Sequence, residues 1–266
     1  MNKKILISCP VSNRDWVLYY YLKSIYELVY DKKLINIYWI ANNSTDQSLS
    51  LLKEFKKQYQ HEYNSITIEE INNHKLPKDE RVTSTRVKIY PWLAHLRNKI
   101  LQKAVSLNVD YLYSSDCDIL LSNDSLKRLL QSEKSITANL IYNGFLYTPP
   151  NAPKDYNPIE NAHKFPNILR ETSPRQYQHI TNYHIKYPEK NPIGKLLECE
   201  FSGASILISK EVCKVAKYDQ NAQFGEDEPF SYSVRQAGYK IYCDISSYQK
   251  HIMSPEILEL YLDGKI

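Results

Sequence analysis

The first 71 residues alternate between short apolar runs and stretches in which apolar side chains recur at helical spacing. Residues 4–9 and 35–41 are apolar runs typical of buried strands, and residues 65–71 alternate enough to be a third strand. Residues 16–30 lie between the first two and have the period of an amphipathic helix. A second helical stripe follows Thr45 and Asp46, either of which can be its N-cap. Because parallel strands need crossover helices, this order predicts an α/β fold with a mostly parallel sheet flanked by helices.

A further apolar run, residues 109–113, leads to two carboxylates, Asp116 and Asp118. Alternate side chains of an extended backbone share a face, so both carboxylates can point the same way at the end of a strand. Open α/β sheets bind their ligands at that edge, and hard oxygen ligands suit Mg²⁺ or Mn²⁺. The same Asp-x-Asp pattern also ends many strands in a solvated turn, so a metal site needs further support from the chain.

The helix expected after Pro91 carries Arg97 inside its apolar stripe. An arginine there must extend its head group to solvent, form a buried ion pair or meet an anion such as a phosphate. The preceding polar residues, 72–90, are predicted to form a loop. The chain has only six glycines and neither a Gly-x-Gly-x-x-Gly pattern nor a Walker loop, so a metal and an arginine would have to hold phosphates instead.

Residues 143–197 contain most of the prolines, many aromatic side chains and three histidines, and they have no clear periodicity. A long irregular segment of this kind is usually a lid or a binding loop. Aromatic rings beside polar groups suit a sugar-like acceptor, although the same rings could pack among themselves. His163, His179 and His184 lack the spacing of zinc ligands. We therefore expect a single domain, residues 1–266, with 143–197 as an acceptor-binding insertion or lid.

Three features follow this segment. A strand over residues 201–208 is entered through Gly203, which can permit close backbone approach or mark a bulge. Glu226 and Asp227 open a helix, where acidic residues also serve simply as caps and dipole partners. Asp227 would face the sheet only if helical spacing extends back across Pro229. His251 lies in the expected C-terminal tail, where a single histidine is usually solvated.

The composition excludes several classes of protein. The formal net charge is +4 without a Lys/Arg block, which argues against nucleic-acid binding. Five cysteines without a Cys-x-x-Cys pair indicate reduced, mostly buried thiols, as in the cytoplasm. The N-terminal apolar run is too short for a signal peptide, and no stretch approaches the roughly 20 apolar residues of a transmembrane helix. The expectation is a cytoplasmic protein without a transmembrane segment.

Taken together, these motifs resemble the metal-dependent, family 2-like glycosyltransferases of the GT-A fold over most of the chain outside the insertion. No single motif is specific, but their order and spacing are. The motifs are Ser8-Cys9-Pro10-Val11 with Asn13-Arg14, Asn42-Asn43-Ser44-Thr45-Asp46, Leu96-Arg97-Asn98, Asp116-Cys117-Asp118, Ser202-Gly203-Ala204, Gly225-Glu226-Asp227-Glu228 and His251.

The resemblance implies metal-assisted transfer of a sugar from a nucleotide-sugar donor, with a UDP-sugar favoured, to a hydroxyl of a glycan, peptide or lipid-linked acceptor. It assigns Asp227 as the base of an inverting reaction. Asn42 stands where many relatives have an acidic residue near the base, so the identity of the base stays open. The remaining roles it implies are nucleotide binding by Ser8, Pro10, Val11, Arg14, Asn42, Arg97 and Asp116; Mn²⁺ or Mg²⁺ binding by Asp116, Asp118 and His251; and donor or acceptor binding by Gly203, Ala204 and Glu226.

Three alternatives stay open. A retaining transferase needs no base, and Asp227 would then hold the donor sugar or the acceptor. A sugar nucleotidyltransferase shares the α/β sheet and the metal carboxylates, but its glycine-rich basic signature is missing from residues 1–14. A non-catalytic nucleotide- or carbohydrate-binding module would be favoured if Asp227 lay far from the Asp116/Asp118 pair.

Overall fold

The computed structural model describes residues 2–73, 83–145, 151, 153–154, 163–219 and 225–266. Its helices are α1 (Asp15–Tyr26), α2 (Ser48–Tyr59), α3 (Thr83–Ser106), α4 (Ser125–Gln131), α5 (Tyr183–Lys186), α6 (Lys210–Val215), α7 (Asp227–Gln236) and α8 (Pro255–Leu262), with 3-10 turns at Lys32–Leu34 and Pro188–Lys190. Its strands are β1 (Ile5–Val11), β2 (Ile35–Ala41), β3 (Ser65–Glu70), β4 (Tyr111–Ser115), β5 (Ile119–Leu120), β6 (Ile136–Phe145), β7 (His163–Pro166), β8 (Leu169–Ser173), β9 (Gln176–His179), β10 (Leu196–Cys199), β11 (Ser205–Ser209) and β12 (Ile241–His251).

One sheet dominates the fold, with the strand order β10-β12-β6-β11-β4-β1-β2-β3. Strands β1 to β4 pair in parallel within it, as do β6 and β12. β11 is antiparallel to both of its neighbours, β4 and β6. The last residues of β1, β2, β4, β6 and β12 therefore meet the first residues of β11 along one edge, which we call the carboxyl edge. The predicted α/β fold with a mostly parallel sheet and flanking helices is confirmed.

Both faces of the sheet are buried, which explains why the central strands are almost continuously apolar. Along β1, Ile5 and Ile7 pack on one face and Leu6 packs on the other. Helices α1, α2, α4 and α8 cover the first face, and α3, α6 and α7 cover the second. The helices thus enclose the sheet but leave its carboxyl edge to the connecting loops.

Several element boundaries differ from the sequence prediction. Helix α3 begins at Thr83 and contains Pro91, whereas residues 72–90 were predicted to be loop. The polar residues before Pro91 provide no apolar stripe from which the first turns could be recognised. The N-cap of α2 is Gln47 and neither Thr45 nor Asp46, although the Asp46 carboxylate accepts from the Ser48 amide at 2.9 Å. The segment 143–197 is also more regular than expected, since its described part contains β7, the β8–β9 hairpin, α5 and β10.

The difference that matters most for the site is the length of the last strand. β12 extends to His251, whereas the apolar pattern predicts a strand ending at Cys243. Its second half is polar but paired, because Tyr248 and Gln249 continue the parallel ladder with β6 after a register shift that follows Asp244. His251 therefore ends a strand at the carboxyl edge and does not lie in a free tail.

Two composition-based expectations concern thiols and membranes. All five cysteines are unpaired and buried, as predicted. Within the described ranges, we find no helix that combines the length and the hydropathy required to cross a membrane.

Candidate active site

The loops after β1 and β2 hold each other through side-chain to backbone hydrogen bonds. Asn13, in the left-handed region at φ 48°, accepts from the Thr45 amide at 2.9 Å. The Arg14 amide donates to Ser48 Oγ at 2.8 Å, and the Asp15 amide donates to Asp46 Oδ2 at 3.0 Å. The Asn-Arg and Ser-Thr-Asp motifs thus form one cross-linked unit at the carboxyl edge.

The residues from β1 that were predicted to bind nucleotide occupy different environments. Ser8 is fully buried, and its hydroxyl donates to the Tyr38 carbonyl of β2 inside the sheet. Pro10 is half-buried, and Val11 is buried at the end of the strand. Ser8 therefore supports the strand, whereas Pro10 and Val11 reach the carboxyl edge.

Asn42, the residue predicted to lie near the base, is buried at the end of β2. Its amide N–H donates to the Val11 carbonyl at 2.8 Å, and its side-chain Oδ1 accepts from Trp92 Nε1 at 2.7 Å. The Trp92 ring stacks on His95 at 5.1 Å. Trp92 was missed at the sequence level because a tryptophan on an amphipathic helix is ordinarily a core residue. It links α3 to this part of the edge.

Asp116 and Asp118 follow β4 in a short turn. The Asp116 amide donates to the Ala204 carbonyl at 2.8 Å, and the Asp118 carbonyl accepts from the Ile252 amide at 2.8 Å. The backbone of each is therefore fixed by a different neighbour, Asp116 by the residue before β11 and Asp118 by the residue after β12. Cys117 is buried, as expected for a thiol that points back into the protein.

Asp118 lies between two cationic or metal-binding side chains. Its Oδ1 is 3.6 Å from His251 Nε2, and its Oδ2 is 3.5 Å from Arg14 Nε. His251 Nδ1 lies 2.8 Å from Asn143 Oδ1 at the end of β6. A proton on Nδ1 satisfies this contact and leaves the Nε2 lone pair facing Asp118, the arrangement by which histidine binds metals. Sequence reasoning missed Asn143, whose neighbours gave no periodic signal.

Arg97 is buried and joins two parts of the edge. Its Nη2 donates to Asp116 Oδ1 at 2.8 Å, and its Nε donates to Glu226 Oε1 at 2.8 Å. Burial opposes its charge, but Asp116 and Glu226 outweigh burial and raise the pKa of Arg97 above its usual value. The next residue, Asn98, exchanges hydrogen bonds of 2.7 and 2.9 Å with the backbone of Tyr218. Of the interpretations left open for Arg97, the geometry matches the buried ion pair.

Gly203, Ala204 and Asp227 form the opposite wall of the site. The Ser205 amide donates to the Gly203 carbonyl at 2.8 Å across Ala204, whose φ of 64° is rare for a residue with a side chain. A Cβ atom on Gly203 would lie 2.1 Å from Asp227 Oδ2. The helical spacing thus does extend back to Asp227 across Pro229, and its carboxylate lies against the turn.

The surroundings of Asp227 alter its acidity. Burial raises the pKa of Asp227 to about 8, and the negative charges of Glu226 and Asp116 add to this, while Arg97 opposes it. Burial also raises the pKa of Asp116, against the opposing effect of Arg97. With a pKa of about 8, the Asp227 carboxyl group can exchange a proton near neutral pH, as a general base or acid must.

The side-chain amide of Asn167 holds the same turn through hydrogen bonds. Its Nδ2 lies 3.2 Å from both the Gly203 carbonyl and Ser202 Oγ, and 3.0 Å from the Asn139 carbonyl. Its Oδ1 accepts from the Ile141 amide at 3.0 Å. Nothing in the sequence marks this residue, because its partners are distant in the chain and one asparagine among many polar residues has no distinguishing pattern.

The side chains that could hold a metal are few. In the part of the chain that the structure describes, no group of three His, Cys, Asp or Glu side chains is arranged to hold a metal ion. Mg²⁺ and related cations are commonly held by one or two protein ligands together with water and substrate phosphates. Asp118 and His251, with Asp116 beside them, fit a cation bound in that way.

Residues 2–149 match the family model described as "Glycosyltransferase family 25, N-terminal domain". A glycosyltransferase 25 family member of Drosophila melanogaster is 26% identical over 152 residues, which cover 54% of this chain and 24% of that protein. The corresponding protein of Anopheles gambiae is 22% identical over 147 residues, which cover 54% of this chain and 25% of that protein. The match thus spans about a quarter of each relative's length.

Solved structures resemble almost the whole chain. Residues 1–349 of S. aureus TarS align with a TM-score of 0.52 at 13% identity, covering 96% of this chain and 62% of that one. The mannosyltransferase PcManGT from Pyrobaculum calidifontis, in complex with GDP-Man and Mn²⁺, aligns with a TM-score of 0.57 at 13% identity, covering 96% and 58%. At this level of identity the likeness shows the fold, which is that of GT-A glycosyltransferases.

Proposed function

The chain belongs to glycosyltransferase family 25, and we propose that it transfers a sugar from a nucleotide-sugar donor to an acceptor hydroxyl. The observation that carries this proposal is the meeting of Asp116, Asp118, His251 and Asp227 at one sheet edge, where α/β folds bind their ligands. These residues come from three distant parts of the chain, so their convergence is a property of the fold.

The donor diphosphate would lie beside Asp118. Mn²⁺ or Mg²⁺, held by Asp118 and His251 with Asp116 adjacent, would stabilise the negative charge that develops on the leaving diphosphate. One structural neighbour is in complex with GDP-Man and Mn²⁺, and another structure of TarS is in complex with UDP-GlcNAc. We favour a UDP-sugar as the donor, since TarS structures are in complex with UDP-GlcNAc and with UDP, and the titration below decides between UDP and GDP.

We propose different roles for the two arginines of the site, Arg97 and Arg14. The Nη2 and Nε atoms of Arg97 already donate to Asp116 and Glu226, so we assign Arg97 to positioning those carboxylates. Arg14 lies beside Asp118 with its side chain 30% exposed. It is the arginine that we propose to meet the donor phosphates.

Asp227 is the proposed base of an inverting reaction. As the acceptor oxygen bonds to the anomeric carbon, its proton passes to an Asp227 carboxylate oxygen. The bond between the anomeric carbon and the diphosphate breaks at the same time, and its electron pair leaves with the phosphate. Burial and the nearby acidic groups make the Asp227 carboxylate more basic than an ordinary aspartate, which favours this role.

Calorimetric titration of UDP and GDP, each with and without Mn²⁺, tests the donor site. We expect UDP to bind in the presence of Mn²⁺ and to lose most of its affinity without metal. Failure of both nucleotides to bind with any divalent cation would contradict the proposal and favour a non-catalytic module. Release of free UDP from a UDP-sugar over time would separate a catalyst from such a module.

A further inference from the structure

A cavity of about 680 Å³ adjoins the candidate active site on the side of His251. It lies between α8, α5 and the ends of β6 and β12, and His251 forms part of its wall. The histidine thus faces Asp118 on one side and the cavity on the other. A molecule in the cavity would be adjacent to the proposed donor site.

The chemistry of the cavity wall combines aromatic rings with lysines. Tyr142 and Tyr248, whose rings pack edge to face at 5.6 Å, line it beside Tyr187. Lys250 lies over the Tyr248 ring at 4.8 Å, and Lys186 lies over the Tyr187 ring at 5.5 Å. Such ring faces pack against the C–H surfaces of a sugar, and each ammonium group remains close enough to the wall to meet an anion.

The balance of charge around the cavity is positive. Lys186 and Lys250 have no carboxylate within ion-pair distance among the described residues, whereas Lys265, which also lines the cavity, pairs with Asp263. Within the described part of the chain, Glu189 is the acidic side chain in the cavity wall. The wall therefore contains two lysines without a carboxylate partner and one acidic side chain.

We propose that this cavity binds an acceptor saccharide that carries a phosphate or carboxylate group, with Lys186 and Lys250 meeting the oxyanion. The proposal rests on the transferase function proposed above, and it adds the chemical class of the acceptor. Asp227 is not among the residues that line the cavity, so the cavity holds a part of the acceptor away from the reacting hydroxyl.

The test compares glucose 6-phosphate, glucuronate and glucose as probes, titrated by NMR into the whole chain with UDP and the diamagnetic ion Mg²⁺ present. We expect one or both anionic sugars to bind more tightly than glucose, and the pair distinguishes a phosphate from a carboxylate group. The Lys186→Gln/Lys250→Gln variant should weaken binding of the anionic sugar by about tenfold, the effect of losing a charge-assisted hydrogen bond. Lys240→Gln is the matched control, because Lys240 is exposed, pairs with Glu198 and does not line the cavity.

The outcomes separate this proposal from the donor site. Equal binding of the three sugars, or equal binding by the lysine variant and Lys240→Gln, would overturn the anionic-acceptor proposal while UDP binding remained intact. Anion binding that depends on Lys186 and Lys250, in a protein that binds neither UDP nor GDP, would overturn the acceptor role and the transferase function together.

Discussion

The Asp227 carboxylate lies against the Cα atom of Gly203, so closely that a methyl group on Gly203 would be 2.1 Å from Asp227 Oδ2. A hydrogen atom is therefore the largest substituent that Gly203 can carry without displacing the proposed base. The turn before β11 and the start of α7 are matched in shape at this one contact.

Substitution of Gly203 tests that match. Gly203→Ala should displace Asp227 and lower kcat by about 100-fold or more, because misplacing a reacting group by about 1 Å has an effect of that order. We also expect a loss of about 1–3 kcal/mol in the free energy of unfolding from overpacking. The stability control is Gly144→Ala, since a Cβ there meets nothing within 4 Å. An unchanged kcat in Gly203→Ala would contradict the proposed position of the base.

The pKa of Asp227 predicts how activity and stability depend on pH. If Asp227 must accept a proton, kcat/KM should rise with pH and level off above about 8, the value to which burial raises its pKa. The folded state then holds a proton that the unfolded state has already lost between the ordinary value of 3.8 and about 8. The contribution of Asp227 to stability should therefore fall as pH rises through this window.

Asp227→Asn removes both effects. We expect its kcat to fall strongly at every pH and its stability to vary less between pH 4 and 8 than that of the wild type, as measured by urea unfolding. The exposed Asp263 provides the control variant Asp263→Asn. A wild-type rate profile that is flat across pH 8 would argue that Asp227 does not take the acceptor proton.

Asp118→Asn should abolish metal-dependent binding of UDP, because the amide offers no negative charge to the cation. The melting temperature should change little, since the backbone carbonyl that holds the Ile252 amide is retained. Calorimetry and thermal unfolding on the same preparation measure the two effects, with Asp263→Asn again as the control. Full activity in Asp118→Asn would remove this residue from the site.

Arg97 should be a major contributor to folding stability. Arg97→Gln leaves Asp116 and the buried Glu226 uncompensated, and loss of one partner of a buried ion pair costs about 3–5 kcal/mol. Urea unfolding measures the loss, and Arg97→Gln/Glu226→Gln should recover part of it. The matched control is Arg170→Gln, whose side chain is 58% exposed and 3.8 Å from Glu200, with an expected change of about 0–1 kcal/mol. Equal effects of the two arginine substitutions would contradict the bridging role.

The sequence was most informative where local periodicity decides the structure. The apolar run at residues 35–41 predicts β2 correctly, because a strand buried on both faces is apolar at nearly every position, Asn36 being the exception here. The position of Asp116 at the end of a strand follows from the same reasoning. Strands with polar residues were harder to predict. The second half of β12 is polar, and it pairs with β6 after a register shift instead of showing an apolar run.

Contacts between distant residues left no local signal. Asn143 supports His251 across 108 positions, and Asn167 supports Gly203 across 36. Each acts through one side-chain amide whose partner depends on the strand order. The predicted roles of Gly203 and Asp227 came from a family resemblance, but the shape match between them required coordinates.

The antiparallel direction of β11 has a consequence for how such a protein can diversify. The family match ends at residue 149, so β1 to β6 and the Asp116/Asp118 pair come from one stretch, while Gly203, Asp227 and His251 come from another. β11 runs back between β4 and β6 and thereby inserts the second stretch into the middle of the first. The two stretches therefore share one sheet and one core, and residues that pair between them, such as Arg97 and Glu226, cannot change independently.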